Sequence, residues 1–296
     1  MEQLKKIFCR YDMVCDNPTG VGFEIHTMPE FFDEKHGMET DSAHLHGFYE
    51  IIWFREGEGV HYVDFNEYPV SPGTVFFISP GQVHSFDSRH DQKGIVMKIC
   101  SELLTDELQG DDGIYLRYNV FNAFDHIPYV RVSGDDTDRF SSIVNAMLSE
   151  LKENGSIGQK EYLRSLIRIF IISILRCNNL KEAPVLNPVR PSHKAFLAFR
   201  RLLEENYRSV HTVKEYASML HVTGKTLTQY VNECSPYTPL ELINNRILLE
   251  AKRMLRYSLL PIKEIAFNLG FEDPSYFVKF FKRMAGKSPA DYREKL

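Results

Sequence analysis

The chain has 296 residues, 43% of them hydrophobic and 25% charged, with a formal net charge of −5; this is too long for one small domain and suits two. No run of about 18 apolar residues occurs, which excludes a membrane-spanning helix. The opening MEQLKKIFCRYDM lacks the apolar core of a secretory signal, so the chain is expected in the cytoplasm. Charge is unevenly placed. Residues 192–296 carry 17 Lys and Arg against 11 Asp and Glu, a balance of +6, leaving 18 against 29, or −11, for residues 1–191. The basic part is the one expected to meet phosphates, and the acidic part reads as a separate body. Cys9, Cys15, Cys100, Cys177 and Cys234 show no ligand spacing and fit reduced, buried thiols.

From Gly22 to Ile99 short β-type runs alternate with turn residues. Phe48–Phe54, Gly59–Phe65, Thr74–Ser79 and Ile95–Ile99 read as strands. Glu56-Gly57-Glu58-Gly59 reads as a hairpin between the first two, and Asn66–Pro72 as a further connection. Many short strands at regular spacing predict a sandwich or small barrel, whose interior can hold one small ligand.

Inside this region His44-Leu45-His46 is followed by Glu50 and Gly57, and Pro80-Gly81-Gln82-Val83-His84 comes further on. On a strand, His44 and His46 share one face. Three imidazoles and a carboxylate would suit Fe, Mn, Zn or Ni. The blander reading has His46 and His84 hydrogen-bonding locally to stiffen a barrel mouth. The spacing resembles the two histidine-bearing motifs of the cupin superfamily, whose metal ligands would correspond to His44, His46, Glu50 and His84. It departs from them in a proline-to-histidine interval one residue short, and in Met38 where a glycine is usual, with Gly37 adjacent. Among the dense aromatics, Trp53 and Tyr62 are candidates for stacking on a sugar or aromatic effector.

Beyond Ile99 the pattern turns helical: a short piece from Leu103 towards Leu108, a turn at Asp111-Asp112-Gly113, an amphipathic helix over Asp138–Asn154 and a longer one over Gln159–Cys177. The last has a broad apolar face of Leu163, Leu166, Ile167, Phe170, Ile171, Ile174 and Leu175, suited either to covering the barrel or to pairing with a second copy. Residues 181–191, KEAPVLNPVRP, hold three prolines without periodicity and read as the linker.

The remaining residues, 192–296, contain one plan twice. In the second copy Ile262, Ile265, Ala266 and Leu269 line a helix that Gly270 stops, and Asp273-Pro274 starts another helix burying Phe277, Phe280, Phe281 and Met284. In the first, Thr212 and Glu215 form a capping box. Ala217 matches Ala266, while Leu227, Tyr230 and Val231 match Phe277, Phe280 and Phe281. The turn of the second copy is one residue longer. Between them Pro239–Tyr257 reads as one long helix with Leu240, Ile243, Ile247, Leu248, Ala251, Met254 and Leu255 as its stripe. Two helix-turn-helix motifs on a rigid connector suit double-stranded DNA, with recognition helices in successive major grooves about 34 Å apart.

Arg246, Ala251, Leu255, Ile265-Ala266, Gly270-Phe271, Phe277, Phe281-Lys282, Gly286, Pro289 and Tyr292-Arg293 closely resemble the signature of AraC-type bacterial transcription regulators. One departure is Pro236, which stands where Gly286 stands in the second copy and implies a different helix ending. The resemblance implies an α+β chain with three parts. Residues 1–180 would be a cupin-like effector-binding and dimerisation barrel with flanking helices, 181–191 a linker, and 192–296 an all-α double helix-turn-helix domain. It implies base readers at Lys225, Thr228 and Gln229 and, in the second motif, Ser275, Tyr276 and Lys279, with Lys282, Arg283 and Arg246 at phosphates or in the scaffold. It also implies a small organic effector held without metal or other cofactor, contacted by His44, His46, Glu50, Trp53, Tyr62 and His84. A homodimer through 159–177 is expected, with RNA polymerase a further candidate partner, and no enzyme activity. The alternatives are a metal-sensing regulator and a cupin metalloenzyme with a helical tail.

Overall fold

The computed structural model describes residues 10–13, 21–32, 40–87, 91–104, 121, 128–132, 134–153, 155–177 and 190–294. Those within Phe8–Ala183 form one compact unit and those within Pro184–Leu296 another.

In the first unit the strands are β1 (Arg10–Tyr11), β2 (Phe23–Thr27), β3 (Leu45–His46), β4 (Tyr49–Glu56), β5 (Gly59–Val63), β6 (Asn66–Val70), β7 (Thr74–Ile78), β8 (His84–Ser85), β9 (Lys93–Ile99) and β10 (Tyr129–Arg131). An antiparallel five-stranded sheet runs β10-β7-β4-β9-β2, a three-stranded sheet runs β6-β5-β8, and β1 pairs with β3. Helices α1 (Met28–Phe32), α2 (Ser101–Leu104), α3 (Gly134–Lys152) and α4 (Gln159–Cys177) complete the unit.

Strands β4, β7 and β9 are buried on both faces, which is why they read as nearly continuous apolar runs. Their alternation sorts two cores. Ile51, Trp53, Val75, Phe77, Ile95 and Met97 pack against Phe140, Leu163, Ile167 and Phe170 of α3 and α4. Ile52, Phe54, Phe76, Ile78 and Val96 point the other way, to meet Val63, Val70 and Phe86 from the three-stranded side. The barrel is thus two facing sheets, and its interior is the second of these cores.

Three local expectations change. β4 and β5 do not pair with each other: β4 pairs with β7 and β9, and β5 with β6 and β8, so Gly57-Glu58 carries the chain between sheets. The connection expected at 66–72 holds β6, which pairs with β5 through the Asp64-Phe65 turn, Asp64 taking φ 54°. It lies at the edge of its sheet, where Pro69 and exposed Asn66 and Glu67 are tolerated. Third, Cys100 is disulfide-bonded, while Cys177 and Cys234 are free thiols. The Asp111–Gly113 turn, the stretch towards Leu108 and most of the linker also lie outside the described residues.

On α4, Leu163, Ile167, Phe170, Ile171 and Ile174 are buried in the unit's own core, with Leu166 and Leu175 packed at its margin. The apolar stripe expected to pair with a second copy is therefore used at home. Exposed Tyr162 and Ile169 remain on the outer face.

The second unit is helical: α5 (Pro191–Asn206), α6 (Val213–Met219), α7 (Gly224–Cys234), α8 (Pro239–Tyr257), α9 (Ile262–Asn268), α10 (Pro274–Ala285) and α11 (Pro289–Glu294). The complete capping box is at Thr238 and Glu241, whereas at Thr212 the hydroxyl accepts from Glu215 N–H and its own proton points to the Glu215 carboxylate. On α8 the buried stripe includes Leu242 rather than the exposed Leu240, and Arg246 lies within it.

Candidate functional site

The two helix-turn-helix motifs are α6–α7 and α9–α10. Ala217 and Ala266 are both buried where their helices cross, and Leu227, Val231, Phe277, Phe280 and Phe281 anchor the second helices. The turns differ in chemistry. Gly270 takes φ 79°, and a Cβ there would come 2.1 Å from the Arg208 carbonyl oxygen, so only glycine fits. In the shorter first turn the left-handed position is taken by His221 at φ 55°. The helix endings differ as the Pro236 departure implies. Gly286 closes α10 at φ 76°, while Ser235 ends α7 in an extended conformation, the one favoured before proline.

Lys225, Gln229, Ser275, Tyr276, Lys279, Lys282 and Arg283 are exposed on α7 and α10. Thr228 is half-buried, its hydroxyl donating to Gly224 O at 2.8 Å, and the Gln229 amide donates to Glu233 at 3.2 Å. Arg246 departs from this group. It is buried, donates to Glu204 at 3.0 Å and to Glu250 at 3.1 Å, and lies 3.7 Å from the Tyr207 ring centre. Arg208 and Arg253 complete the surround of Glu250. Burial pushes the Glu250 carboxyl up, but the Arg246, Arg253 and Arg208 charges outweigh it and hold its pKa at about 2. Arg246 is a scaffold residue. The i, i+4 series Leu242, Arg246, Glu250, Met254 beside the apolar stripe was the sequence signal for it.

In the first unit His44, His46, Glu50 and His84 come together, all fully or almost fully buried. β3 runs into an isolated bridge in which His44 and His84 exchange both backbone bonds, at 3.0 and 2.9 Å. Glu50 arrives from β4 on the inward face shared with Ile52 and Phe54. His46 Nε2 lies 3.7 Å and His84 Nε2 3.6 Å from Glu50 Oε2. The far sides of the rings are fixed: His46 Nδ1 donates to Phe48 O at 2.7 Å and His44 Nδ1 to Ser42 O at 3.0 Å. The near sides are bare. Nε2 of His44, His46 and His84 and both carboxylate oxygens of Glu50 have no hydrogen-bond partner among the described residues. Burial lowers the pKa of His44, and lowers that of His84 well below the usual histidine range.

Two expected effector contacts do not join them. Trp53 faces the other core, against Phe140 and Phe170 of α3 and α4, and Tyr62 is exposed on the outer face of β5. Strand alternation sends Tyr62 outward and its neighbour His61 inward, where His61 Nε2 lies 3.4 Å from His84 Nδ1. His61 was missed because it stands in no motif; its parity with Val63 was the available signal.

Among the described residues no helix is long and apolar enough to cross a membrane. Residues 33–167 match the family described as AraC-like ligand binding domain, and residues 216–295 a helix-turn-helix domain. The HTH-type transcriptional activator RhaS of Klebsiella pneumoniae (strain 342) is 25% identical over 267 residues, 85% of this chain and 87% of that protein. The HTH-type transcriptional activator RhaR of Yersinia pestis bv. Antiqua (strain Angola) is 24% identical over 270 residues, 90% of each. Among solved structures, ToxT from Vibrio cholerae O395 bound to (E)-4-(8-methylnaphthalen-1-yl)but-3-enoic acid is 15% identical, covering 92% of this chain and 97% of that one at a TM-score of 0.40. With an AraC-like ligand-binding match followed in series by a helix-turn-helix match, the chain has the make-up of an AraC-type transcription regulator.

Proposed function

We propose that this regulator acts in the cytoplasm as a homodimer, and that a small ligand in the interior of its N-terminal unit changes how its two DNA-binding units engage adjacent sites. The observation that carries the DNA reading is the pair of capped helices, α7 and α10, whose exposed faces present Lys225, Gln229, Ser275, Tyr276 and Lys279. Gln229 suits adenine and Lys225 suits guanine in the major groove; Thr228 contributes at the edge of its helix. Lys282 and Arg283 contact phosphates. The charge excess of the basic part is modest, which favours two chains on one operator. Tyr162 and Ile169, on the outer face of α4, are the residues offered for pairing. RNA polymerase is the further partner of a DNA-bound dimer that activates transcription. The ligand contacts are His44, His46, Glu50 and His84, without Trp53 and Tyr62.

The test is selection of duplexes from a randomised pool by the untagged full-length protein. The expected product is a pair of half-sites about one helical turn apart. A pool that returns no preferred sequence overturns the assignment.

A further inference from the structure

Glu233, in the last turn of α7, is an acid in a place that disfavours one. Lys225, Gln229 and Glu233 recur every four residues and stand in one row along the exposed face of that helix. A carboxylate at the end of the row lies at the negative end of its own helix dipole, and it meets DNA phosphates with charge of the same sign. Two bonds account for its presence there. Gln229 Nε2 donates to Glu233 Oε1 at 3.2 Å. From the other side α5 packs against α7, and the hydroxyl of Ser192, buried in the first turn of α5, hydrogen-bonds the same carboxylate. The Ser192 bond, then the Gln229 bond, then the neighbouring His193 and Arg190 hold the Glu233 pKa below the usual carboxylate value against some desolvation. The N-cap residue of α5, Arg190, makes no side-chain cap bond of its own. Glu233 thus supplies an anion at the helix start that follows the linker, where negative charge is favoured.

The chemistry of the pair fixes an orientation. An ionised carboxylate only accepts hydrogen bonds, so the end of the Gln229 amide that faces it is the NH2 end. The carbonyl oxygen and the second N–H remain for DNA. Side by side they make an acceptor and a donor, the pattern that adenine N6–H and N7 complement. An amide without such a tether turns either end outward, and the reversed order does not match adenine in the same place.

We propose that Glu233 is a positioning residue for sequence readout: anchored by Ser192 at the start of α5, it sets the Gln229 amide in the orientation that adenine requires. This rests on Gln229 being a base reader of the first motif, and it adds to the readout a residue that touches no base.

The test uses untagged full-length protein and the duplex returned by selection. Affinity for that duplex is divided by affinity for the same duplex altered at the one base pair whose preference Gln229→Ala loses. Glu233→Ala is expected to lower this ratio about 3- to 10-fold. Glu233→Gln lowers it nearly as far, since an amide can turn either end towards Gln229 and no longer fixes it. Ser192→Ala lowers it about 2-fold, because the carboxylate keeps its bond to Gln229 and loses its anchor. Affinity for random duplex rises in both Glu233 variants as a negative charge is removed, which separates a lost preference from general weakening. In a Gln229→Ala background, Glu233→Ala changes the ratio no further. Far-ultraviolet circular dichroism reports whether the helices of each variant are intact. A ratio that Gln229→Ala lowers but both folded Glu233 variants leave unchanged overturns the positioning role and leaves Gln229 a reader. Equal weakening of every duplex by Glu233→Ala assigns the residue to the fold alone and overturns the proposal as well. A Gln229→Ala protein with undiminished selectivity overturns the reader assignment, and this proposal with it.

Discussion

Each unit buries a polar cluster, and the two are finished differently. In the C-terminal unit Arg246 is wedged between Glu204 and Glu250 over the Tyr207 ring, and Glu250 is ringed by three arginines. In the N-terminal unit Glu50 is fully buried, yet neither of its oxygens meets a donor among the described residues, and Nε2 of His46 and of His84 beside it has no hydrogen-bond partner there either. A closed network of opposite charges rigidifies a scaffold. A set of converging acceptors is stable only with something positive, or something that donates, in its midst. The first cluster therefore ties α5 and the residues after it to α8, and the second has the chemistry of the ligand site proposed for its unit.

This contrast makes its largest prediction about stability. Arg246→Ala removes a buried partner of Glu250 and the packing over the Tyr207 ring, and is expected to lose about 3 kcal/mol in chemical denaturation. Glu50→Gln alters a carboxyl that has no hydrogen-bond partner among the described residues, and is expected to leave stability unchanged or raise it by about 1 kcal/mol. Equal, large losses from both would mean that the two clusters are alike in kind.

The pH response separates them next. Folding lowers the Glu250 pKa from 4.5 to about 2, so the unfolded chain binds the proton more readily. The stability this supplies, about 3 kcal/mol, is present above pH 4.5 and lost as pH falls towards 2. Acid titration of wild type and Glu250→Gln should show a loss over that window in the first and a flatter curve in the second.

Smaller effects distinguish the two helix-turn-helix copies. His221→Gly relieves a left-handed backbone and should stabilise by up to about 1 kcal/mol, whereas Gly270→Ala drives a methyl group into the Arg208 carbonyl and should destabilise. For DNA, Gln229→Ala should reduce discrimination at one base pair by about 1–3 kcal/mol, while Lys282→Ala weakens preferred and random duplexes alike and lowers the salt slope by about one. Equal losses on both kinds of DNA for both variants would contradict the assignment of Gln229 as a reader.

How far the sequence carried this reading depended on how local each signal was. The paired helix-turn-helix plan was legible because capping residues, Gly270 and the phenylalanine spacing act within a few residues of one another. The histidine cluster was legible as a spacing, since His44 and His46 share a strand face by simple alternation. Its state was not, because bareness is a property of what fails to arrive from β4 and β8. Trp53 and Tyr62 were assigned to the ligand by residue type, although alternation from Glu50 puts Trp53 on the opposite face. That β4 and β5 belong to different sheets is set by long-range pairing, which no turn signal at Gly57 encodes. Arg246 illustrates the same limit: a cation on a DNA-binding domain reads as a phosphate contact until two carboxylates from α5 and α8 are seen closing on it.

The central claim, that the buried cluster of the N-terminal unit bears on what the recognition helices do, is tested most directly by one comparison. The affinity of untagged full-length protein for its selected duplex would be measured beside that of folded Glu50→Gln. The account predicts a change of at least about 5-fold in the variant. An unchanged affinity would contradict it.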